Sequence, residues 1–395
     1  MLDTPKANRL HIGVFGRRNV GKSSLVNALT SQNLSVVSDI AGTTTDPVFK
    51  AMELLPIGPV MIIDTAGLDD EGALGDLRIE KTLDVMNKTD IALLLFAGNS
   101  KDFSMESTWL NELHNKKVPV IGVINKIDLY KLNEDNLKKD FNIPFVSISA
   151  ENKINISGLK EAIIENAPLD FERESIVGDI LNPKDMVIVV APQDIQAPKG
   201  RLILPQVQVI RDILDHDAMA LTVKTTELED ILKSLNKMPD LVITDSQVFK
   251  EVNSILDSSI PLTSFSILMA RYKGDINMFK DGANAIEDLK PGDKVLIAEG
   301  CTHHALKGDI AREKLPSWIE QKVGGKLQID VKSGNDFPHD LTEYKLVVHC
   351  GSCMFTRKQL LSRLSRCKEQ NVPITNFGVC IAKLNGILDK VTKMF

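Results

Sequence analysis

Gly16-Arg17-Arg18-Asn19-Val20-Gly21-Lys22-Ser23 follows the apolar run Leu10–Phe15 and leads into Lys22–Thr30, which reads as a helix. The order strand, glycine-rich turn, helix is that of a G-x-x-x-x-G-K-S phosphate loop. Backbone N–H groups of such a loop cradle phosphates, and the helix N-terminus adds its dipole. Lys22 is placed to reach the β/γ-phosphates and Ser23 to bind Mg²⁺, with Gly16, Gly21 and Ser24 completing the phosphate-binding set. Asp64-Thr65-Ala66-Gly67 ends another apolar run, so Asp64 can hold Mg²⁺ through water and the Gly67 amide can sense the γ-phosphate. Thr44, within Gly42-Thr43-Thr44-Thr45-Asp46, is the expected switch hydroxyl on Mg²⁺. Lys22, Thr44, Asp64 and Gly67 thus form the expected catalytic set.

Asn125-Lys126-Ile127-Asp128 ends a further apolar run and supplies a base pocket, which Ser149-Ala150 completes. Asp128 can accept two hydrogen bonds from guanine's N1–H and exocyclic amine. Adenine offers neither and would leave a desolvated carboxylate unpaired, a difference worth roughly 10⁴–10⁵ in selectivity. The implied ligands are GTP and GDP with Mg²⁺, and the implied reaction is GTP hydrolysis.

Working outward, the runs Val60–Asp64, Ile91–Ala97, Val118–Asn125 and Phe145–Ser149 alternate with helical patterns at Leu77–Asn87, Met105–Asn115 and Ile156–Asn166. Alternation of this kind implies a parallel sheet covered by helices on both faces. The expected fold class is α/β throughout. A phosphate-loop GTPase domain (1–167) and a polar linker (168–183) precede a small parallel α/β dimerisation domain (184–264) and an α/β cluster-binding domain (265–395). The middle domain shows three strands, Met186–Val190, Ala220–Lys224 and Leu241–Thr244. So few strands leave an open sheet edge that invites a second copy, so a homodimer is expected. In the last domain strands are expected at Lys294–Ala298, Leu327–Val331, Lys345–Val348 and Ile374–Asn376, and helices at Ile310–Gln321, Arg357–Gln370 and Ile381–Lys393.

All five cysteines fall in the last quarter, at 301, 350, 353, 367 and 380. Thiols gathered this way in a chain whose start lacks an apolar leader point to a cytoplasmic protein with cysteine ligands rather than disulfides. Cys301-x-His303 follows one expected strand and His349-Cys350-x-x-Cys353 another, and ligands of open α/β sheets gather at strand carboxyl ends. Cys353 is expected at a helix start, where the dipole favours a thiolate. Such a set suits either tetrahedral zinc or a [4Fe–4S] cluster with one open iron. His303 and His349 are candidate fourth ligands or hydrogen-bonding neighbours. Cys367 and Cys380 read as core, His11 as a surface or strand-edge histidine, and the basic helix carrying Arg363 as a solvated face. With a formal net charge of −6 and no long basic block, neither nucleic acid nor a membrane is an expected partner.

Residues 8–167 resemble the Era and TrmE group of GTPases. By that resemblance Asn19 stands where potassium-activated members carry an asparagine that helps coordinate K⁺, and Leu68 where Ras-like proteins carry the water-orienting glutamine. The whole chain, in its order of GTPase motifs, middle domain and C-x-H…H-C-x-x-C, resembles the HydF family, the maturation GTPases and scaffolds of [FeFe]-hydrogenase. That resemblance implies a [4Fe–4S] cluster on Cys301, Cys350 and Cys353 and a transiently carried diiron precursor. It also implies apo-[FeFe]-hydrogenase and two radical-SAM maturases as partners. The rival expectation is an Era- or TrmE-like GTPase acting on RNA, with a C-terminal zinc module.

Overall fold

The computed structural model describes residues 5–30, 47–65, 81–100, 102–131, 134–168, 175–192, 202–300 and 309–395. The chain divides into two compact units, Met1–Phe171 and Glu172–Phe395.

The first unit is built on six strands: β1 (Leu10–Phe15), β2 (Val48–Leu54), β3 (Gly58–Asp64), β4 (Ile91–Ala97), β5 (Val120–Asn125) and β6 (Phe145–Ser147). Their order is β2-β3-β1-β4-β5-β6. All neighbours are parallel except β2 against β3. β1 and β5 are buried along their full length, as expected of central strands covered on both faces. Leu25, Val26 and Leu29 of helix Lys22–Thr30 and Leu159 and Ile163 of helix Ile156–Asn166 cover one face. Trp109, Leu110 and Leu113 of helix Ser104–Asn115, with Leu137, cover the other. Two elements lie outside the sequence expectation. β2 reads Val-Phe-Lys-Ala-Met-Glu-Leu, with Val48 and Phe49 exposed, so it has no clean alternation. Helix Glu134–Phe141 buries only Leu137, so it has no apolar stripe to detect.

The second unit holds two four-stranded parallel sheets. The first orders its strands β10-β9-β7-β8, from β7 (Met186–Val190), β8 (Met219–Val223), β9 (Leu241–Thr244) and β10 (Leu262–Ser264). The second orders them β12-β11-β13-β14, from β11 (Lys294–Glu299), β12 (Gln328–Ser333), β13 (Leu346–His349) and β14 (Ile374–Asn376). Ile188 and Val242 of the first sheet share one continuous core with Ile297 and Val348 of the second. This shared core is why the two expected domains form one unit. The segment read as a linker is partly structural: Ile176 and Val177 are buried, and Asp212 Oδ2 accepts the backbone N–H groups of Ile176, Val177 and Gly178. The fourth strand of the first sheet, β10, spans three residues and is too short to stand out in the sequence.

Two expected helices are interrupted. The last one is split into Phe377–Leu384 and Leu388–Thr392 around Gly386, whose φ of +70° suits glycine. The other begins as a π-helical turn, Ile310–Lys314, and becomes α-helical at Leu315, with Pro316 in its first turn. Among the described residues no helix is long and apolar enough to cross a membrane.

Helix Ile276–Asn284 lies directly on β14. A Cβ on Gly282 would sit 1.9 Å from the Ile374 carbonyl oxygen and 2.5 Å from its carbon. Backbone atoms of a paired strand cannot move aside cheaply. Gly282→Ala should therefore destabilise the second unit by on the order of 3 kcal/mol. Denaturant unfolding of the full chain checks this, and a loss below about 1 kcal/mol would mean that the helix shifts freely over the strand.

Candidate functional site

The phosphate loop runs from the end of β1 to the start of helix Lys22–Thr30. Its backbone turns at Gly16 (φ +152°), Asn19 (φ +57°) and Gly21 (φ +97°). A Cβ at Gly21 would lie 2.3 Å from Asn125 Nδ2, so both backbone conformation and space require glycine there. Lys22, buried, donates through Nζ to the carbonyl oxygens of Gly16 (2.9 Å) and Arg17 (2.8 Å) and so spans the loop. Ser24 follows in the first turn of the helix.

At the end of β3, Asp64 Oδ2 accepts a hydrogen bond from Ser23 Oγ (2.8 Å), while its buried Oδ1 has no hydrogen-bond partner. Burial raises the Asp64 pKa above the ordinary carboxylate value, against the lowering effects of Ser23, Lys22 and Lys50. A hydroxyl and a carboxylate with an unpaired buried oxygen make a hard oxygen donor set, which fits Mg²⁺. Thr44 and Gly67, with Leu68, lie outside the described residues.

The base-pocket motif is tied to this loop. Asn125 Nδ2 donates to the Val20 carbonyl (2.9 Å), and its Oδ1 accepts from Ala150 N (3.0 Å). Lys126 Nζ donates to the Asn19 carbonyl (2.7 Å). Ser149 Oγ accepts from Asn152 N, and its backbone bridges Ile154. Asp128 is exposed on the turn after β5. Phosphate and base halves are therefore one hydrogen-bonded body.

The sequence did not reveal how Arg17 is held. Its Nε and Nη2 donate to Glu106 Oε1 (2.9 Å) and Oε2 (3.0 Å), which fixes the loop to helix Ser104–Asn115. Nor did it reveal that His11 is buried on the central strand β1. Burial lowers its pKa to about 4, so it is neutral and not a surface group.

The cysteine region sits at the carboxyl ends of β11 and β13. Cys350 follows β13, and its Sγ accepts from Gly300 N (3.0 Å) and Ser352 N (3.4 Å). Gly300, which directly precedes Cys301 in sequence, is thus held at this sulfur by its N–H. Cys301 and His303 themselves lie outside the described residues. Among the described residues no group of three metal-ligating side chains is present. Cys350 and Cys353 are both half-buried. Burial pushes the Cys350 thiol up to about 11, so a soft metal must displace its proton. Two soft sulfurs, one of them accepting backbone N–H bonds, fit a thiolate-ligated cluster.

Cys353 lies in a turn rather than at a helix start. Helix Arg357–Glu369 begins after its cap Thr356, whose side chain accepts from Gln359 N. His349 is fully buried at the end of β13, and its pKa is lowered to about 3 by burial and by Arg363. Arg363 Nη1 donates to His349 Nε2 (2.8 Å). A guanidinium cannot accept, so the ring proton sits on Nδ1 and donates to the Cys350 carbonyl (3.0 Å). Both ring nitrogens are thereby engaged, and His349 is placed beside the cysteine loop rather than as an open ligand.

Arg363 is likewise no solvated residue. It lies over the rings of Phe337 (4.6 Å) and Phe355 (4.3 Å). Its place in the buried stripe Leu360-Arg363-Leu364-Cys367 was the available signal. Cys367 and Cys380 are fully buried in the core, with thiols pushed up to about 12 by burial.

Residues 11–126 match the 50S ribosome-binding GTPase family model, residues 176–274 the hydrogen maturase F dimerization domain, and residues 277–394 the hydrogen maturase F tetramerization domain. The chain is 36% identical over 174 residues to the GTPase Der of Wolinella succinogenes, covering 40% of this chain and 36% of that protein. It is 35% identical over 184 residues to the tRNA modification GTPase MnmE of Endomicrobium trichonymphae, covering 46% of this chain and 40% of that protein. The chain thus spans less than half the length of these curated relatives. A crystal structure of Era in complex with MgGDPNP and 16S ribosomal RNA is similar at 22% identity and a TM-score of 0.38, covering 59% of this chain and 92% of that one. The first unit is a GTPase domain, and the two maturase modules behind it occupy the region where the RNA-acting alternative would need a zinc module. Because these two modules follow one another over more than half of the sequence, the chain belongs to the hydrogen maturase F family.

Proposed function

We propose that the chain hydrolyses GTP and serves as an iron–sulfur scaffold that carries a diiron precursor to apo-[FeFe]-hydrogenase. The observation that supports the reading is the Gly300 N–H bond to Cys350 Sγ, which ties the carboxyl end of β11 to the Cys350-x-x-Cys353 loop. Cys301, Cys350 and Cys353 would hold a [4Fe–4S] cluster. The cluster, when bound, supplies one iron with an exchangeable position at which the diiron cargo can dock.

The remaining work falls to the chain's own groups. Gly300 and Ser352 donate N–H bonds to the Cys350 sulfur, and His349 holds the Cys350 carbonyl through Nδ1. In the nucleotide site Lys22 and the loop amides bind phosphates, Ser23, Thr44 and Asp64 hold Mg²⁺, and Asn19 takes K⁺. Asp128 selects guanine. His303 is a candidate for the exchangeable position.

Radical-SAM maturases that build the cargo's ligands are the expected suppliers, and the expected setting is the cytoplasm, where cysteines stay reduced and can serve as ligands. The chain assembles through its dimerization module, where β8 is a sheet edge with Met219 and Thr222 exposed. An edge of this kind can pair with a second copy.

Anaerobic purification with iron, sulfide and zinc analysis, followed by incubation of the cargo-loaded chain with apo-hydrogenase, tests the proposal. The expected result is a cluster of four irons per chain and recovery of hydrogenase activity. Tightly held zinc with no iron–sulfur spectrum after reconstitution would overturn it.

A further inference from the structure

Lys273 closes helix Phe265–Lys273 and is 2% exposed. Its Nζ donates to the carbonyl oxygens of Ser352 (3.2 Å), Cys353 (3.3 Å) and Phe355 (2.6 Å). An ammonium carries three donors on one atom, and three carbonyls within four residues of the cysteine loop take them. Within that loop Ser352 is fully buried at φ +56°, a backbone conformation uncommon for a residue other than glycine. Burying an ammonium is costly, and an apolar side chain of similar volume would fill the space for less. The charge is therefore explained by what it does to the loop.

We propose that Lys273 is a positioning residue of the thiolate site. The ammonium gathers the carbonyls of Ser352, Cys353 and Phe355, so the turn that carries Cys353 keeps its shape next to Cys350 before any iron arrives. Its positive charge then offsets part of the negative charge that thiolate ligation brings into a poorly solvated region. The inference rests on the reading of Cys350 and Cys353 as ligands. It has a consequence for the assembly: Lys273 belongs to the dimerization module, residues 176–274, while the cysteines belong to the module of residues 277–394. The shape of the ligand loop is thus held by the neighbouring module.

The test compares the full chain with K273M, K273R and C353S after anaerobic iron–sulfur reconstitution. It reads iron release to a chelator and the midpoint potential of the cluster by paramagnetic resonance. K273M should release iron on the order of 10-fold faster or more, the scale of lost supporting contacts at metal sites. Removing a positive charge favours the oxidised cluster. The K273M potential should therefore fall by about 59 mV, a tenfold shift in a one-electron equilibrium. K273R keeps the charge but presents a planar fork, so it should hold the potential and still release iron faster. Release and potential unchanged in K273M overturn the proposal. If K273M does not fold, release from K273R equal to that of the unmodified chain does the same. C353S retaining its iron would instead defeat the ligand reading on which the proposal stands.

Discussion

Replacing Asp128 with asparagine should weaken GTP binding about 10⁴-fold, roughly 5.5 kcal/mol, and transfer preference to the xanthine nucleotide. The carboxylate offers two acceptors to guanine's N1–H and exocyclic amine. The asparagine amide offers one acceptor and one donor, which leaves guanine's amine facing a donor. Xanthine carries a carbonyl where guanine carries that amine, so the exchanged donor finds an acceptor. The rest of the site should not notice the change. Asn125 holds the Val20 carbonyl and the Ala150 amide, and Lys126 holds the Asn19 carbonyl, none of them through Asp128. Because Asp128 is exposed on its turn, the substitution also leaves the core unaltered. Binding of labelled GTP and XTP to the purified chain measures both arms. Undiminished GTP affinity in D128N would remove the base-pocket assignment.

The parts of this molecule that were legible in the sequence are those whose physics is local. A buried central strand such as β4 must be apolar at nearly every position, and a phosphate loop needs glycine where the backbone turns positive. Both constraints act on consecutive residues, and β1, β4 and helix Ile156–Asn166 lie where the pattern puts them. What stayed hidden depends on partners far along the chain. Lys50 is buried between exposed neighbours on the edge strand β2, where Asn27 accepts its ammonium, and no window around β2 contains that fact. Arg363 looks like one more charge on a basic helix until Phe337, Phe355 and His349 close around it. Lys273 likewise ends a helix with an ordinary basic residue, and only the folded loop 79 positions away explains why it is buried. The single core beneath both sheets of the second unit follows from the same cause. A continuous core is a property of packing, while linkers are read from composition, so the buried Ile176 and Val177 passed as part of a polar linker.

Cys350→Ser should abolish stable cluster binding, with iron retention falling on the order of 100-fold or more. That exceeds the 10–100-fold typical of lost outer contacts, because a ligand is lost rather than its support. The structure lets this loss be separated from misfolding. In the chain without iron, Cys350 Sγ accepts only from Gly300 N and Ser352 N among the bonds described, and a serine oxygen can accept from the same donors. The apo protein should therefore keep its melting temperature within a few degrees, an effect below about 1 kcal/mol for a neutral exchange of hydrogen-bond acceptor. Serine fails as a ligand for a different reason: its hydroxyl is far harder to deprotonate than a thiol and is a hard donor where iron–sulfur chemistry calls for a soft one. Cys367→Ser and Cys380→Ser reverse the pattern. Both thiols are fully buried in the apolar core, so each exchange should lower stability by about 1–3 kcal/mol while leaving iron content unchanged. Iron and sulfide content after anaerobic reconstitution, read beside the apo melting curve, gives both quantities for every variant. If C350S kept its iron while C367S lost it, the cluster would have to be moved from the carboxyl end of β13 to the helix Arg357–Glu369. The Gly300–Cys350 contact would then be a strand-end hydrogen bond and nothing more.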